Sequence, residues 1–322
     1  MTDTPPAVLG TLRCPRCRSP LHEGERELYC ANSTCQACFP FVNGIPILIN
    51  DKSSIFRIAD FTSGNNTTFN LKGSRIIRLI KQLLPDISHN IPTKTNYHTL
   101  ARLLLDRSKA PTVLVVGGSI RGSGMETLDE YPQIQLIETD VSFGPRTQLI
   151  CDCHDLPFAD GTFDGVIAQA VLEHVADPWR AVAEIHRVLK PDGFVYAETP
   201  FLQATHMGAC DFTRFTHVGH RRLFRSFTEI ASGPVAGPGT ALAWTYSFFI
   251  QSFFRSTSLR LPARAFTLLS GCFLKYFDYL VIRRPGAIDA ASGFYFLGRK
   301  SDTPIADRDL LTYYRGQSGL GY

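Results

Sequence analysis

From Pro111 onward, short β-rich apolar runs alternate with helical patterns, and that alternation restricts this chain more than any other feature. Strands separated by helices return in the same direction and pair in parallel, so the expected fold class is α/β with a doubly wound sheet. The runs are 112–116, 134–138, 147–150, 163–168 and 193–198, with a further one at 294–298. A helix is expected over 177–189. Asp177 suits its N-cap and Pro178 its first position, while Trp179, Val182, Ile185 and Leu189 form an apolar stripe. Lys190-Pro191-Asp192-Gly193 stops it.

A chain of 322 residues, 44% hydrophobic and 19% charged, has room for one full α/β domain and something smaller. The formal charge of +4 is too weak a basic excess to argue for nucleic acid. Residues 1–10 show neither a charged n-region nor an apolar h-region, which sets the expectation of a cytoplasmic protein. Residues 230–254 carry no charge, but Pro234, Gly237, Pro238 and Gly239 interrupt them. Roughly 15 apolar residues remain where about 20 are needed to span a bilayer. Trp244, Tyr246, Phe248, Phe249, Phe253 and Phe254 then suit a helical insertion at about 240–285, as lid packing or as a peripheral membrane or lipid-tail contact. Between the N-terminal segment and the α/β domain, polar composition at 63–68 reads as a linker. Two helical patterns follow, a basic amphipathic one near 74–84 and another near 95–107.

Five of the nine cysteines lie within 10–50, and without a secretory signal they suggest metal and free thiols rather than disulfides. Cys14-Pro-Arg-Cys17, followed by Cys30 and Cys35 with Cys38 close behind, offers two knuckles of thiolates around a short hairpin. That supplies the four tetrahedral ligands of a structural Zn2+. Spacing alone leaves the fourth ligand open between Cys35 and Cys38. Cys14-Pro-Arg-Cys17, Tyr29-Cys30 and the run from Phe39-Pro40 through Gly44-Ile45-Pro46 to Leu48 resemble the zinc ribbon of the small tRNA-methyltransferase activator family. In that family the last cysteine precedes the corresponding proline by five residues, which implies Cys35.

Val113-Leu-Val-Val-Gly117-Gly118-Ser119 reads as a buried strand entering a glycine turn, where open α/β sheets bind nucleotides. The glycine spacing also fits short-chain dehydrogenases, yet no tyrosine here has a lysine four residues on. Asp140, about 20 residues after the turn, is placed to accept hydrogen bonds from ribose hydroxyls. Asp152 follows the third strand, near an adenine amino group, with Cys153 lining that pocket. Phe163 to Gln169 forms the fourth strand, continued by Val171-Leu-Glu-His174-Val, and Arg187-Val-Leu-Lys-Pro191-Asp-Gly193 starts the fifth. This ordered set resembles the class I S-adenosylmethionine methyltransferases, in particular the ubiquinone-biosynthesis C-methyltransferase group. The resemblance implies a seven-stranded Rossmann-like domain over 95–300 followed by a C-terminal tail, with S-adenosyl-L-methionine held by Gly117, Gly118, Ser119, Asp140, Asp152, Cys153 and Gln169. One position departs from the family: Val115 stands where an acidic residue usually meets the cofactor's ammonium group.

Beyond the fifth strand come His206, Asp211 and Arg214, followed by His220-Arg-Arg-Leu-Phe224. His206 can take a hydroxyl proton, with Asp211 orienting it or Arg214; a structural Asp211–Arg214 pair is the alternative. The His-x4-Asp-x2-Arg-Phe-Thr spacing resembles methyltransferases linked to cell-surface polysaccharide or lipid modification. The expected function is therefore methylation of a hydroxyl on a glycan, lipid-linked sugar or small metabolite. RNA methylation guided by the ribbon and an inactive cofactor-binding module are the rival readings.

Overall fold

The computed structural model describes Val8, residues 10–63 and residues 84–317; nearly all of the basic segment expected near 74–84 lies outside the described residues. Eleven strands form one sheet, in the order β1-β2-β3-β4-β7-β6-β5-β8-β9-β11-β10. They are β1 Leu21–Glu23, β2 Glu27–Cys30, β3 Cys38–Val42, β4 Ile45–Leu48, β5 Thr112–Val116, β6 Gln135–Asp140, β7 Leu149–Cys151, β8 Phe163–Gln169, β9 Leu189–Pro200, β10 Phe227–Ala236 and β11 Gly293–Lys300. Strands β7 to β9 pair in parallel, and β11 runs antiparallel between β9 and β10. The strand order reverses between β5 and β8. Such a switch point opens a crevice at the carboxyl ends of the strands, where ligands of open α/β sheets bind.

The seven strands expected over 95–300 are β5 to β11, and four more, β1 to β4, widen the sheet. Asn43 and Gly44, both at positive φ (51° and 78°), make the two-residue turn that joins β3 to β4. Strand β4 then pairs in parallel with β7, Ile47 opposite Ile150 and Leu48 opposite Cys151. The N-terminal segment therefore continues the sheet. Its Leu12, Leu28, Phe39 and Leu48 share one buried cluster with Leu114, Ile137 and Phe163. Arg18 also reaches Glu184 at 2.9 Å.

The helices used below are α1 Ile58–Thr62, α2 Thr93–Leu105, α3 Pro178–Val188, α4 His217–Leu223, α5 Pro238–Ser252, α6 Thr257–Gly271 and α7 Asp278–Val281. The Asp177 carboxylate caps α3 by accepting from the Arg180 N–H at 3.1 Å, with Pro178 in the first turn. Val182 and Ile185 face the core, but Trp179 is 50% exposed and packs edge-on against Phe215. The stripe is thus narrower than expected. The uncharged run 230–254 is divided: β10 ends at Ala236, Gly237 breaks the chain, and α5 begins at Pro238. No described helix is long and apolar enough to cross a membrane.

A candidate cofactor crevice joined to an acceptor cavity

At the carboxyl ends of β5, β6 and β7 a cavity of about 750 Å³ is lined by Val116, Gly117, Asp140, Asp152, Cys153 and His154, among others. Gly117 has φ +73°, and a Cβ there would meet the Val171 side chain at 2.3 Å, so the turn requires glycine. Gly118 and Ser119 do not line the cavity. Gly118 is pressed against Glu138 and Val115, where a Cβ would sit 3.1 Å from each. The Ser119 N–H donates to Asp140 at 3.0 Å and fixes that carboxylate at the strand end. Burial raises the Asp140 pKa above the ordinary carboxylate range despite that bond.

Asp152 is held from two sides. His154 donates from its backbone at 3.0 Å and faces the carboxylate with Nδ1 at 2.5 Å, while its Nε2 accepts from the Asp177 N–H at 3.0 Å. That pattern makes His154 the neutral Nδ1–H tautomer. The second holder is the Ser54 hydroxyl, which donates to Asp152 at 2.5 Å. Burial would raise the Asp152 pKa, but His154 and Ser54 outweigh it and keep it low. Ser54 belongs to the segment leaving β4, and the next two residues, Ile55 and Phe56, form part of the cavity wall. No motif in the sequence marks this contribution.

Strand β8 ends at Gln169 rather than continuing. Ala170 has φ +54°, a strained value for a residue with a Cβ, and it borders both this cavity and a second one. Gln169 lines neither. Its side chain bonds Tyr97, Ser123 and Glu198, tying α2 and the glycine loop to β9. Val115 is buried in the core, so no carboxylate comes from that position.

The second cavity, about 1400 Å³, is polar; Asn90, Thr93, Glu173, Glu198 and His206 are among its walls. Glu198 accepts from Thr93 at 2.7 Å, Gln169 at 2.9 Å and Asn90 at 3.1 Å. Glu173 is different: it is fully buried, and neither carboxylate oxygen has a hydrogen-bond partner. Burial pushes it up to about 8 against the weaker pull of Arg214. Its oxygen lies 3.7 Å from His174 Nε2 and 4.0 Å from His206 Nε2. Both rings are held below the usual histidine range, chiefly by burial, so these approaches are not ion pairs at neutral pH.

His174 Nδ1 donates to the Cys210 carbonyl at 2.8 Å, and its Nε2 meets His206 Nε2 at 3.1 Å. The His206 N–H donates to Asp211 at 2.9 Å. Asp211 and Arg214 line neither cavity. Arg214 forks onto Asp211 and also donates to the Gln203 and Ala204 carbonyls, at 3.1 and 3.4 Å. Burial pushes Asp211 up, but Arg214 and the His206 N–H more than offset it and hold the carboxyl near 2. The pair builds the loop that presents His206. Glu173, His174 and His206 offer ligand atoms within 4.8 Å of one another, a spacing a cation could also span.

The Cys14, Cys17, Cys30 and Cys35 sulfurs also gather within 4.8 Å, with 3.8 Å between Cys14 and Cys35 and 3.3 Å between Cys17 and Cys30. Tetrahedral Zn–S bonds of about 2.3 Å would place sulfurs roughly 3.8 Å apart. The four thiols therefore fit that ion. Cys38 is exposed and stands outside the cluster.

Residues 122–197, which run from the glycine loop into β9, match the family model described as a methyltransferase domain. The chain is 48% identical over 44 residues to a ubiquinone/menaquinone biosynthesis C-methyltransferase of Desulfotalea psychrophila (14% of this chain, 18% of the relative). It is 46% identical over 57 residues to a mitochondrial arginine hydroxylase of Rattus norvegicus (18% and 16%). Among solved structures, a Burkholderia thailandensis 1,6-didemethyltoxoflavin-N1-methyltransferase aligns over 88% of this chain and 99% of its own, with 14% identity and a TM-score of 0.39. The chain spans less than a fifth of the length of the first curated relatives it matches. Those relatives carry names of two different reactions.

Proposed function

We propose that this protein transfers the methyl group of S-adenosylmethionine to a hydroxyl of a glycan, lipid-linked sugar or small metabolite. The observation that carries the reading is the junction at Ala170 between two cavities of different character. The first presents Asp140 for ribose hydroxyls and Asp152 and Cys153 for an adenine, with Ile55 and Phe56 closing it. The second is polar, separate, and bordered by a buried proton-handling cluster. Bound S-adenosylmethionine would supply an electrophilic methyl group for in-line displacement, so much of the acceleration would come from positioning.

The chain's own residues account for the proton. A hydroxyl in the second cavity would lose its proton to His206, neutral at pH 7 because burial holds its pKa down. His174 has its Nδ1 committed to the Cys210 carbonyl, so the lone pair of its Nε2 faces His206. A proton taken by His206 would be shared between two nitrogens 3.1 Å apart. Asp211 and Arg214 serve as positioning residues. We further propose that the four thiolates hold a structural Zn2+ that fixes the first strands of the sheet.

The test is calorimetry. S-adenosylmethionine should bind, and Asp140→Ala should weaken binding by about 1.5–3 kcal/mol, the usual cost of losing hydrogen bonds to a charged acceptor. Preference for NAD, or an Asp140→Ala variant with unchanged affinity, would overturn the assignment.

A further inference from the structure

The insertion between β10 and β11 is built inside out. Its polar groups hold it together: Ser247 bonds Thr267 at 2.9 Å and Tyr246 bonds Ser270 at 3.0 Å between α5 and α6. Asp278, fully buried on α7, accepts from the N–H groups of Gly237, Gly239 and Thr240 and from the Thr240 hydroxyl. The large apolar side chains point the other way. Among the described residues, thirteen of the twenty-two exposed large hydrophobics fall from Leu242 to Leu280; Phe253 and Leu280 are each 69% exposed, and Phe249, Phe266, Leu269 and Phe277 are exposed as well. An apolar surface so concentrated marks an interaction site.

Charge identifies the occupant. Residues 237–292 hold six basic residues (Arg255, Arg260, Arg264, Lys275, Arg283 and Arg284) and two acidic residues, Asp289 and the buried Asp278, a net of +4. The whole chain carries +4, so everything outside this stretch sums to zero. The five arginines are exposed, and no ion pair with a described residue neutralises any of the six. Apolar side chains interleaved with arginines match the interfacial zone of an anionic bilayer. Between α5 and α6 lies a groove of about 1540 Å³ with Trp244, Phe248, Leu261 and Leu268 on its walls and Arg264 beside them. The groove shares Asp86 and His206 with the acceptor cavity.

We infer that the α5–α6 insertion seats on an anionic membrane surface and admits a lipid-anchored acceptor, its hydrocarbon in the groove and its polar head at His206. The docking stands on the surface alone; the acceptor class rests on the methyl-transfer reading.

The test is flotation of the full chain with vesicles of phosphatidylcholine alone or with about a third phosphatidylglycerol. At least tenfold preference for the anionic vesicles, reduced by salt, is expected. Phe253→Glu with Phe277→Glu should lower vesicle binding at least tenfold and leave calorimetric S-adenosylmethionine affinity unchanged. Arg255→Glu with Arg283→Glu, which alters no apolar contact, should do the same. Equal binding to both vesicle types, or none to either, overturns the docking. A dimer in solution that the Phe variants dissociate, or vesicle binding seen only after deletion of residues 64–83, would make a second copy or that segment the occupant. Vesicle binding with a water-soluble methylated product would leave the docking intact and overturn the lipid-anchored acceptor.

Discussion

Replacing Cys30 by serine should weaken S-adenosylmethionine binding although Cys30 touches no part of the cofactor cavity. The coupling follows one path through the structure. Cys30 shares the four-thiol cluster, a Zn2+ held there as proposed would steady the segment that pairs β4 with β7, and the chain leaving β4 delivers Ser54 to Asp152 and Ile55 and Phe56 to the cavity wall. If the four thiols hold Zn2+ as proposed, losing it would leave β4 loosely held, and binding would then have to order Ile55 and Phe56 again. Fixing one residue's backbone costs about 1–2 kcal/mol, so two residues cost about 2–4 kcal/mol, or roughly 30- to 900-fold in affinity. Calorimetry on purified variants, with zinc content measured on the same samples, reads both ends of the path. Ser54→Ala should show part of the loss with full zinc content, and Cys38→Ser should behave as wild type. A zinc-free Cys30→Ser protein that binds S-adenosylmethionine as tightly as wild type would show that the thiol cluster and the cofactor cavity are uncoupled.

Two further outcomes concern the acceptor cavity. Glu173 has a folded pKa of about 8, above its unfolded value, so its contribution to stability is full below pH 4.5 and is lost as pH rises through 8. Glu173→Gln should remove that slope, about 1.4 kcal/mol per pH unit, from denaturant-unfolding curves across the window; parallel pH profiles for the two proteins would contradict the buried-carboxyl account. His206→Ala should lower turnover by about 10²–10⁴ with cofactor affinity nearly unchanged. Wild-type activity should rise with pH through a midpoint below the ordinary histidine value, because burial favours the neutral ring. Asp211→Asn should cost less turnover than His206→Ala if Asp211 only supports the loop; equal losses would place Asp211 in the chemistry.

What the sequence reveals depends on how local the determinant is. Strand β5 reads directly, since a strand buried on both faces is a continuous apolar run, and 112–116 matches its bounds. Strand β10 is hidden: it is an edge strand with two register shifts, and its uncharged end merges with α5 into one apolar stretch. Trp179 follows the helical period yet is half exposed, with Phe215 packed edge-on against it, because period alone does not say which neighbours cover a face. Asp140 is legible from its distance to the glycine turn. Glu173 is not, since nothing in Val171-Leu-Glu-His174 announces a carboxyl buried without a partner; its proximity to His174 was the only signal. The parallel pairing of β4 with β7 joins residues about a hundred positions apart, and no local pattern encodes it.

Methyl transfer is measured directly by following a tritiated methyl group from S-adenosylmethionine in a single turnover. The purified protein, lipid-extracted and aqueous acceptor pools, and a His206→Ala control are sufficient. Label should appear in an alkali-stable ether of a hydroxylated acceptor, with one S-adenosylhomocysteine formed per methyl transferred and a rate at least a hundredfold lower in the variant. Bound S-adenosylmethionine that remains intact in the presence of every acceptor pool would contradict methyl transfer.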